Sequence, residues 1–294
     1  MKYFLFFFSV FSLCSCRNTP VRFMFQNAVG LNLNPAGCSI LDLGGASRMC
    51  ERVRIEKPDL FFQVGPAFSM VIPRADVSTE QVSKLQRALV LTWNEAHVSF
   101  YSVDGEDLGS GLKSFLEVTS QKTFSLLSTN IRDRQGKPPF NLFQKTDWNE
   151  ASFLFLGFTT PKSASRISDW QAVPFKDALE SLNPILKENA QAQIVVLGSL
   201  SQSQRQEILN LIAQPVYFLG GSLEEDNTTE WIPMGGGSFW GKAVDLGRGM
   251  GKIEWNSAPS MAFKTEFSSK GLRKDLDAVN QCTKIIEDAL GSSR

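Results

Sequence analysis

The chain reads as an α/β protein. Short apolar runs of strand length alternate with helical apolar stripes from Val21 to Leu219, and a glycine-rich stretch of short strands follows from Thr229 to Trp255. The run Asp59 to Val64 is apolar without alternation, the pattern of a strand in a sheet covered on both faces. Apolar residues make up 43% of the 294-residue chain, enough for a full core, and no repeat, low-complexity tract or long linker divides it. Residues 21–294 are therefore expected to form a single domain.

The elements follow in order. Val21 to Phe25 is a strand, and a Gly- and Pro-containing loop runs on to Leu43. Gly44-Gly45 opens a helix to about Lys57, and Asp59 to Val64 is the second strand. Ser78 to Trp93 is a helix: Ser78 and Gln81 have capping-box spacing, and Val82, Leu85 and Leu89 form a stripe. His97 to Val103 alternates as a strand, and Gly109 to Val118 is a short helix. Strands are expected at Phe124–Thr129 and Phe153–Phe158, with a polar, hairpin-like stretch between them. Phe175, Ala178, Leu179, Leu182, Ile185 and Leu186 recur at helical spacing. Gln193–Leu197 is a strand, Gln202–Ile212 a helix, Val216–Leu219 a strand, and a final helix runs from about Leu272 to Leu290. Phe61, Phe62, Leu156, Val195, Val196 and Phe218 are expected in the core.

The N-terminus carries a different signal. Lys2 precedes an apolar run that ends at Leu13, about a dozen residues and too short for a bilayer-spanning helix. That length and charge order mark a secretory signal peptide over residues 1–15. Leu13-Cys14-Ser15-Cys16 resembles the lipobox of bacterial lipoproteins. The resemblance implies acylation of Cys16 with fatty chains such as palmitate, a short tether over 16–20, and export to the cell membrane or outer membrane, lipid-anchored. More than one chain is expected, since a single acyl chain holds a membrane only marginally.

Lys plus Arg and Asp plus Glu number 30 each, so the formal charge is +0. No basic excess points to nucleic acid. With Cys16 acylated, Cys38, Cys50 and Cys282 remain. A Cys38–Cys50 bridge, a Cys50–Cys282 bridge and three reduced thiols all stay open. No CxxC or Cys/His cluster suggests structural zinc.

Eight stretches, in order, resemble the metallophosphoesterase (calcineurin-like) domain of the 5′-nucleotidase and UDP-sugar hydrolase family over residues 21 to 256. Gln26-Asn27-Ala28-Val29-Gly30 resembles its T-N-D-x-H-G, and Gly44-Gly45-Ala46-Ser47-Arg48 its G-G-x-A-R. Gly65-Pro66-Ala67-Phe68-Ser69 stands at G-D-x-F-S, and the octet Asp104 to Gly111 at G-N-H-E-F-D-x-G. Leu126 to Asn130 resembles L-L-S-A-N, and Leu156 to Pro161 L-G-L-T-T-P. Leu197 to Leu200 and Leu219 to Glu224 stand at L-S-H-L and L-G-G-H-S-H. The resemblance implies a four-layer α/β/β/α sandwich with two facing mixed sheets and outer helices. It leaves the base-gripping second domain of that family without a counterpart.

In the family, two divalent metals at the strand ends polarise a phosphate and activate water. Position by position, the ligands have gone. Ala28 and Gly30 replace Asp and His, Pro66 the bridging Asp, Gly105 the Asn, and Glu106 the next His; Ser199, Ser222 and Glu224 replace the later histidines. The chain has one histidine in all, His97, which is read as structural or exposed. No cofactor is expected. Asp104, Glu106, Asp107, Glu224, Glu225 and Asp226 gather near the old site; solvated loop carboxylates are the plain reading, and a rebuilt calcium or magnesium site the sharper one. Gly235-Gly236-Gly237 lacks P-loop context and reads as a turn, and Trp231, Trp240 and Trp255 read as core. The expected function is a membrane-anchored, non-catalytic binding or scaffold protein of the envelope. Its partner would be an unknown envelope protein or small ligand. The alternative is a phosphate-ester or nucleotide hydrolase working through Glu106 and Glu224.

Overall fold

Alternating side chains on two sheets organise the molecule. In the strand Leu60–Val64, Phe62 and Val64 point to one face and Phe61 to the other, and both faces are covered. The computed structural model describes residues 20–27, 31, 33, 45–69, 78–148, 151–160, 169–221, 231–241, 249–256, 264–271 and 280–290. The expected signal and the tether up to residue 19, with Cys16 and Cys38, lie outside them.

The first sheet has six strands in the order β14 (Lys264–Gly271), β13 (Gly249–Asn256), β1 (Val21–Asn27), β2 (Leu60–Val64), β3 (Phe100–Ser102) and β4 (Ser125–Leu127). β1 to β4 are parallel; β13 runs antiparallel to β1 and to β14. The second sheet orders β11 (Trp231–Gly235), β12 (Ser238–Gly241), β10 (Val216–Leu219), β9 (Gln193–Leu197), β7 (Ala151–Gly157) and β6 (Gln144–Trp148), with β6 and β11 antiparallel to their neighbours. A two-stranded ribbon pairs β5 (Ile131–Asp133) with β8 (Trp170–Ala172).

The sheets face each other across an aromatic layer. Phe23 meets Phe153 edge-on with centroids 4.9 Å apart, Phe62 meets Phe155 at 5.5 Å, and Tyr217 meets Trp255 at 4.6 Å. Each fully buried Phe contributes about 1.5–3 kcal/mol from area alone, and the edge-on geometry suits ring quadrupoles. On the outer face of the first sheet lie α1 (Ala46–Glu56), α2 (Thr79–Glu95), α3 (Leu112–Val118) and α6 (Gln281–Leu290), which bring Met49, Leu89, Trp93, Phe115 and Ile286 onto Met24, Phe61 and Tyr101. On the outer face of the second sheet lie α4 (Phe175–Glu188) and α5 (Gln202–Leu211), which bury Leu154, Leu156, Val196 and Phe218. The result is the α/β/β/α order with mixed sheets, and all six expected core residues are buried.

Local signals act as read at α2, where Ser78 and Gln81 form a reciprocal capping box. Ser201 and Gln204 do the same for α5. β3 is shorter than the expected strand from His97, because His97 itself sits in a left-handed turn at φ 53 and is exposed. The expected helix from Gly109 begins later, as α3 at Leu112, and a 3₁₀ turn at Gly105–Leu108 precedes it. The last helix begins at Gln281 rather than near 272: Asn280 Oδ1 accepts the Thr283 amide at 3.0 Å and caps it. Positions 272–279 lie outside the described residues. β14, paired with β13 through eight residues, has no counterpart among the expected elements, and neither have β5 and β8 as strands, whereas β6 lies in the expected hairpin-like stretch and pairs antiparallel with β7. Trp255 and Trp240 are buried and Trp231 packs against the inter-sheet core, while the triple glycine forms the β11–β12 turn with positive φ throughout.

Cys50 of α1 and Cys282 of α6 form a disulfide, with Cα atoms 6.6 Å apart across 232 positions of sequence. Of the cysteine arrangements left open by the sequence, this is the one adopted.

Candidate functional site

The parallel strands of both sheets end on the same side of the molecule, and backbone and small side chains knit those ends together. Ser102 Oγ donates to the Leu197 carbonyl at 3.4 Å, joining β3 to β9. The Thr129 amide donates to the Gly157 carbonyl at 2.6 Å, joining the end of β4 to β7. Gly198 and Gly220 follow β9 and β10 at very close approach: a Cβ on Gly220 would meet the Gly198 carbonyl carbon at 2.9 Å and Val64 Cγ1 at 3.2 Å. Strand ends of this kind are where open α/β sheets bind ligands.

Four of the positions matched to metal ligands fall among the described residues, and all four stand at these ends. Pro66 follows β2, Gly105 and Glu106 follow β3, and Ser199 follows β9. Hydrogen bonds chain them together. The Gly105 amide donates to Thr159 Oγ1 at 2.7 Å, and neighbouring Thr160 places its hydroxyl 3.4 Å from the Ser199 carbonyl. Pro66 lies between Gly65, whose carbonyl accepts from Tyr101 Oη at 2.8 Å, and Ala67, whose amide reaches Asp107 at 2.7 Å. Ala28, Gly30, Ser222 and Glu224 lie outside the described residues.

Two carboxylates hold this end together from inside. Asp107 Oδ1 accepts the amides of Ala67 at 2.7 Å and Phe68 at 2.8 Å, and Oδ2 accepts that of Asp104 at 2.9 Å. Asp104 Oδ1 accepts the Glu106 amide at 2.9 Å and its Oδ2 the Thr159 hydroxyl at 3.1 Å. Tyr101 Oη also bonds Asp107 Oδ2. Burial, then the nearby charge of Asp104, pushes the Asp107 carboxyl up to about 7. Burial, followed by the Asp107 charge, pushes the Tyr101 phenol well above its usual range. The phenol has one proton and two acceptors. Both the Gly65 carbonyl and Asp107 Oδ2 stand as acceptors for that proton.

This corrects the reading of the acidic group as solvated loop carboxylates. Asp104 and Asp107 are buried and committed to protein donors, which also leaves them no free oxygens for a hard cation. Only Glu106 is exposed among the described members of the group; 224–226 are not described. The signal was present: Asp104 and Asp107 sit three apart as a reciprocal cap of the 3₁₀ turn.

Sequence reasoning also missed Trp170 and Asn130. Trp170 lies in β8, donates Nε1 to the Leu108 carbonyl at 3.3 Å, and lays its ring over Gly105. A Cβ at 105 would stand 2.8 Å from Trp170 Cη2. Asn130 accepts the Thr159 amide at 3.0 Å and donates to the carbonyls of Thr159 and Val173, fixing β8 and its tryptophan against the strand ends.

The described positions matched to the ligands of the pair of divalent metals that the family resemblance implies are Pro66, Gly105, Glu106 and Ser199. Pro66 and Gly105 carry no donor atom, and the space where a side chain at 105 would project holds an indole ring. Ser199 offers a buried neutral hydroxyl, and Ala28 and Gly30 offer nothing by identity. Among the described residues, no group of three or more His, Cys, Asp or Glu is disposed to hold a metal ion.

No family of proteins matches the chain by sequence, and neither does any curated protein. Solved structures do match it. The 5′-nucleotidase precursor of Thermus thermophilus superposes with a TM-score of 0.71 at 14% identity, over 92% of this chain and 58% of that one. A sulfate thiohydrolase, SoxB, from the same organism in complex with glycerol gives 0.74 at 13% identity, over 92% and 60%. The calcineurin-like phosphoesterase YfkN of Bacillus subtilis gives 0.66 at 10% identity, over 92% and 97%. The chain thus spans less than two thirds of the first two proteins and nearly all of the third. Likeness at such identities speaks for architecture alone: the chain has the calcineurin-like, metallo-dependent phosphatase fold.

Proposed function

We propose that the chain is a non-catalytic member of this fold, tethered to a membrane of the cell envelope through acylated Cys16 and serving as a binding or scaffold protein. One observation carries the reading. The strand ends that would seat metals are occupied by Pro66, by Gly105 beneath the Trp170 ring, and by buried Ser199, while the nearby Asp104 and Asp107 are spent on internal bonds. A dinuclear mechanism needs ligands that fix two ions and activate water between them; these residues supply neither. The fold keeps its core and glycine pattern because packing requires them, whether or not chemistry occurs. The partner is an envelope protein or a small ligand, and nothing in the charge pattern favours nucleic acid. Among the described residues no helix is long and apolar enough to cross a membrane; attachment is assigned to the lipid.

The test has two arms. Purified protein is analysed for bound metals and assayed on nucleotides and an aryl phosphate with added manganese, cobalt or zinc; neither stoichiometric metal nor turnover is expected. Metal-dependent turnover that disappears in a Glu106→Ala, Glu224→Ala double variant would replace this reading with a hydrolase. In the second arm, Cys16→Ser should move the protein out of the membrane fraction and abolish labelling by a clickable fatty acid. A variant that stays in the membrane and takes label would refute the anchor.

A further inference from the structure

At the end of the first sheet opposite the strand-end site, a cavity of about 500 Å³ opens between α1, α2 and α6. Val53, Phe61 and Ala96 contribute its apolar lining, and Cys50 and Cys282 both line it. The two sulfurs differ. Cys282 is fully buried, whereas Cys50 is partly exposed. Cys282 is the second residue of the ten-residue α6, in the turn where backbone amides and the helix dipole favour a thiolate. Cys50 lies in the middle of α1. A disulfide is cleaved fastest when the accessible sulfur is attacked and the sulfur of lower pKa leaves. Access therefore selects attack at Cys50, with Cys282 as the leaving sulfur.

We propose that Cys50–Cys282 is a site of thiol–disulfide exchange in the folded protein, at which a small-molecule thiolate enters the cavity and attacks Cys50 Sγ. The incoming sulfur forms a bond to Cys50 as the bond to Cys282 breaks. The electron pair leaves with Cys282 Sγ, which takes a proton from water. One disulfide is consumed and one formed, so no oxidant or reductant is needed. The freed Cys282 thiol has an acceptor in place, the Thr92 carbonyl 3.8 Å away. Charge at the mouth tunes entry of the anionic sulfur. Lys57 attracts it and Glu95 repels it, while Glu51 is paired with Arg54 and Asp59 receives the Arg22 amide. Exchange removes the covalent link between α6 and α1.

The experiment uses the purified full chain with Cys38→Ser, reduced glutathione as the thiol, acid quenching, maleimide labelling of freed thiols and peptide mass mapping. The expected product carries glutathione on Cys50 and maleimide on Cys282, and its rate rises in proportion to glutathione. Val53→Trp, which fills the cavity, should slow exchange several-fold with the disulfide still formed. Lys57→Glu should slow it and Glu95→Lys speed it. Glutathione on Cys282, no adduct without denaturant, or a rate that levels off as glutathione increases, so that opening of the protein is limiting, would each overturn the proposal.

Discussion

Asp107→Asn is the substitution with the most to say about the strand-end network. The buried carboxyl has its pKa raised from 3.8 to about 7 by burial and by Asp104. The folded chain therefore binds this proton more tightly than the unfolded chain does. The stability it contributes is full below about pH 4 and is lost as pH rises toward 7. At about 1.4 kcal/mol per tenfold change in proton affinity, the whole loss is about 4 kcal/mol, of which about 2 kcal/mol falls between pH 5 and 7. Asparagine keeps an oxygen for the Ala67 and Phe68 amides but turns its NH₂ toward the Asp104 amide, at a cost of about 1 kcal/mol. The variant should be the weaker protein only in acid, with the order reversing between about pH 4 and 5, and should gain on the native chain steadily up to pH 7. Urea unfolding of both proteins at pH 5, 6, 7 and 8 measures the difference, in which the titration of groups distant from the network cancels. A difference that stays constant across that range would refute the raised proton affinity of the buried Asp107 carboxyl.

Other substitutions probe the frame around that network. Gly105→Asn should destabilise by about 1–3 kcal/mol because its Cβ meets Trp170 Cη2 at 2.8 Å; adding Trp170→Ala should recover part of the loss in the same thermal melts. Ser78→Ala removes the hydroxyl acceptor of the α2 capping box, and denaturant unfolding should register about 1 kcal/mol. Gly251→Ala places a methyl into the Phe25 ring across the β1–β13 pair, with Phe25 Cζ at 2.5 Å; low soluble yield, or a melting temperature far below that of Ser78→Ala, is the expected outcome.

Much of the architecture is legible in the sequence, because burial leaves a period. The continuous apolar runs at β2, β9 and β10 and the stripe of α4 mark elements with covered faces. The capping box at Ser78 marks a boundary to the residue. What escaped has little apolar signature. β14 reads Lys-Thr-Glu-Phe-Ser-Ser-Lys-Gly, a sequence with no continuous apolar run, and pairs with β13 through eight residues. β5 and β8 are three residues each, too short for any period to appear. At the candidate site, the absence of donors at Pro66 and Gly105 was visible in their identities. The ring that fills the space above Gly105 was not, since Trp170 is 65 positions away and only the β5–β8 ribbon brings it there. The roles of Asp104 and Asp107 were hidden for a similar reason: a carboxylate's sequence neighbours do not say whether it faces water or backbone amides.

The pairing of β1 carries a consequence for how the chain must be made. One side of this strand is met early, by β2, but the other is met by β13, more than two hundred positions later. Through most of synthesis, Phe23 and Phe25 sit on an open edge with half their neighbours unmade. At roughly 5–20 residues per second that interval is about 10–45 seconds, long enough for edge-to-edge pairing with another chain. Over the same interval Cys50 has Cys38 twelve positions behind it in sequence, while Cys282 is not yet made. Oxidation before completion can therefore only join the wrong pair. An assembly route in which the chain is held reduced and extended until its last strands arrive, and is cross-linked afterwards, is what this topology demands of the cell.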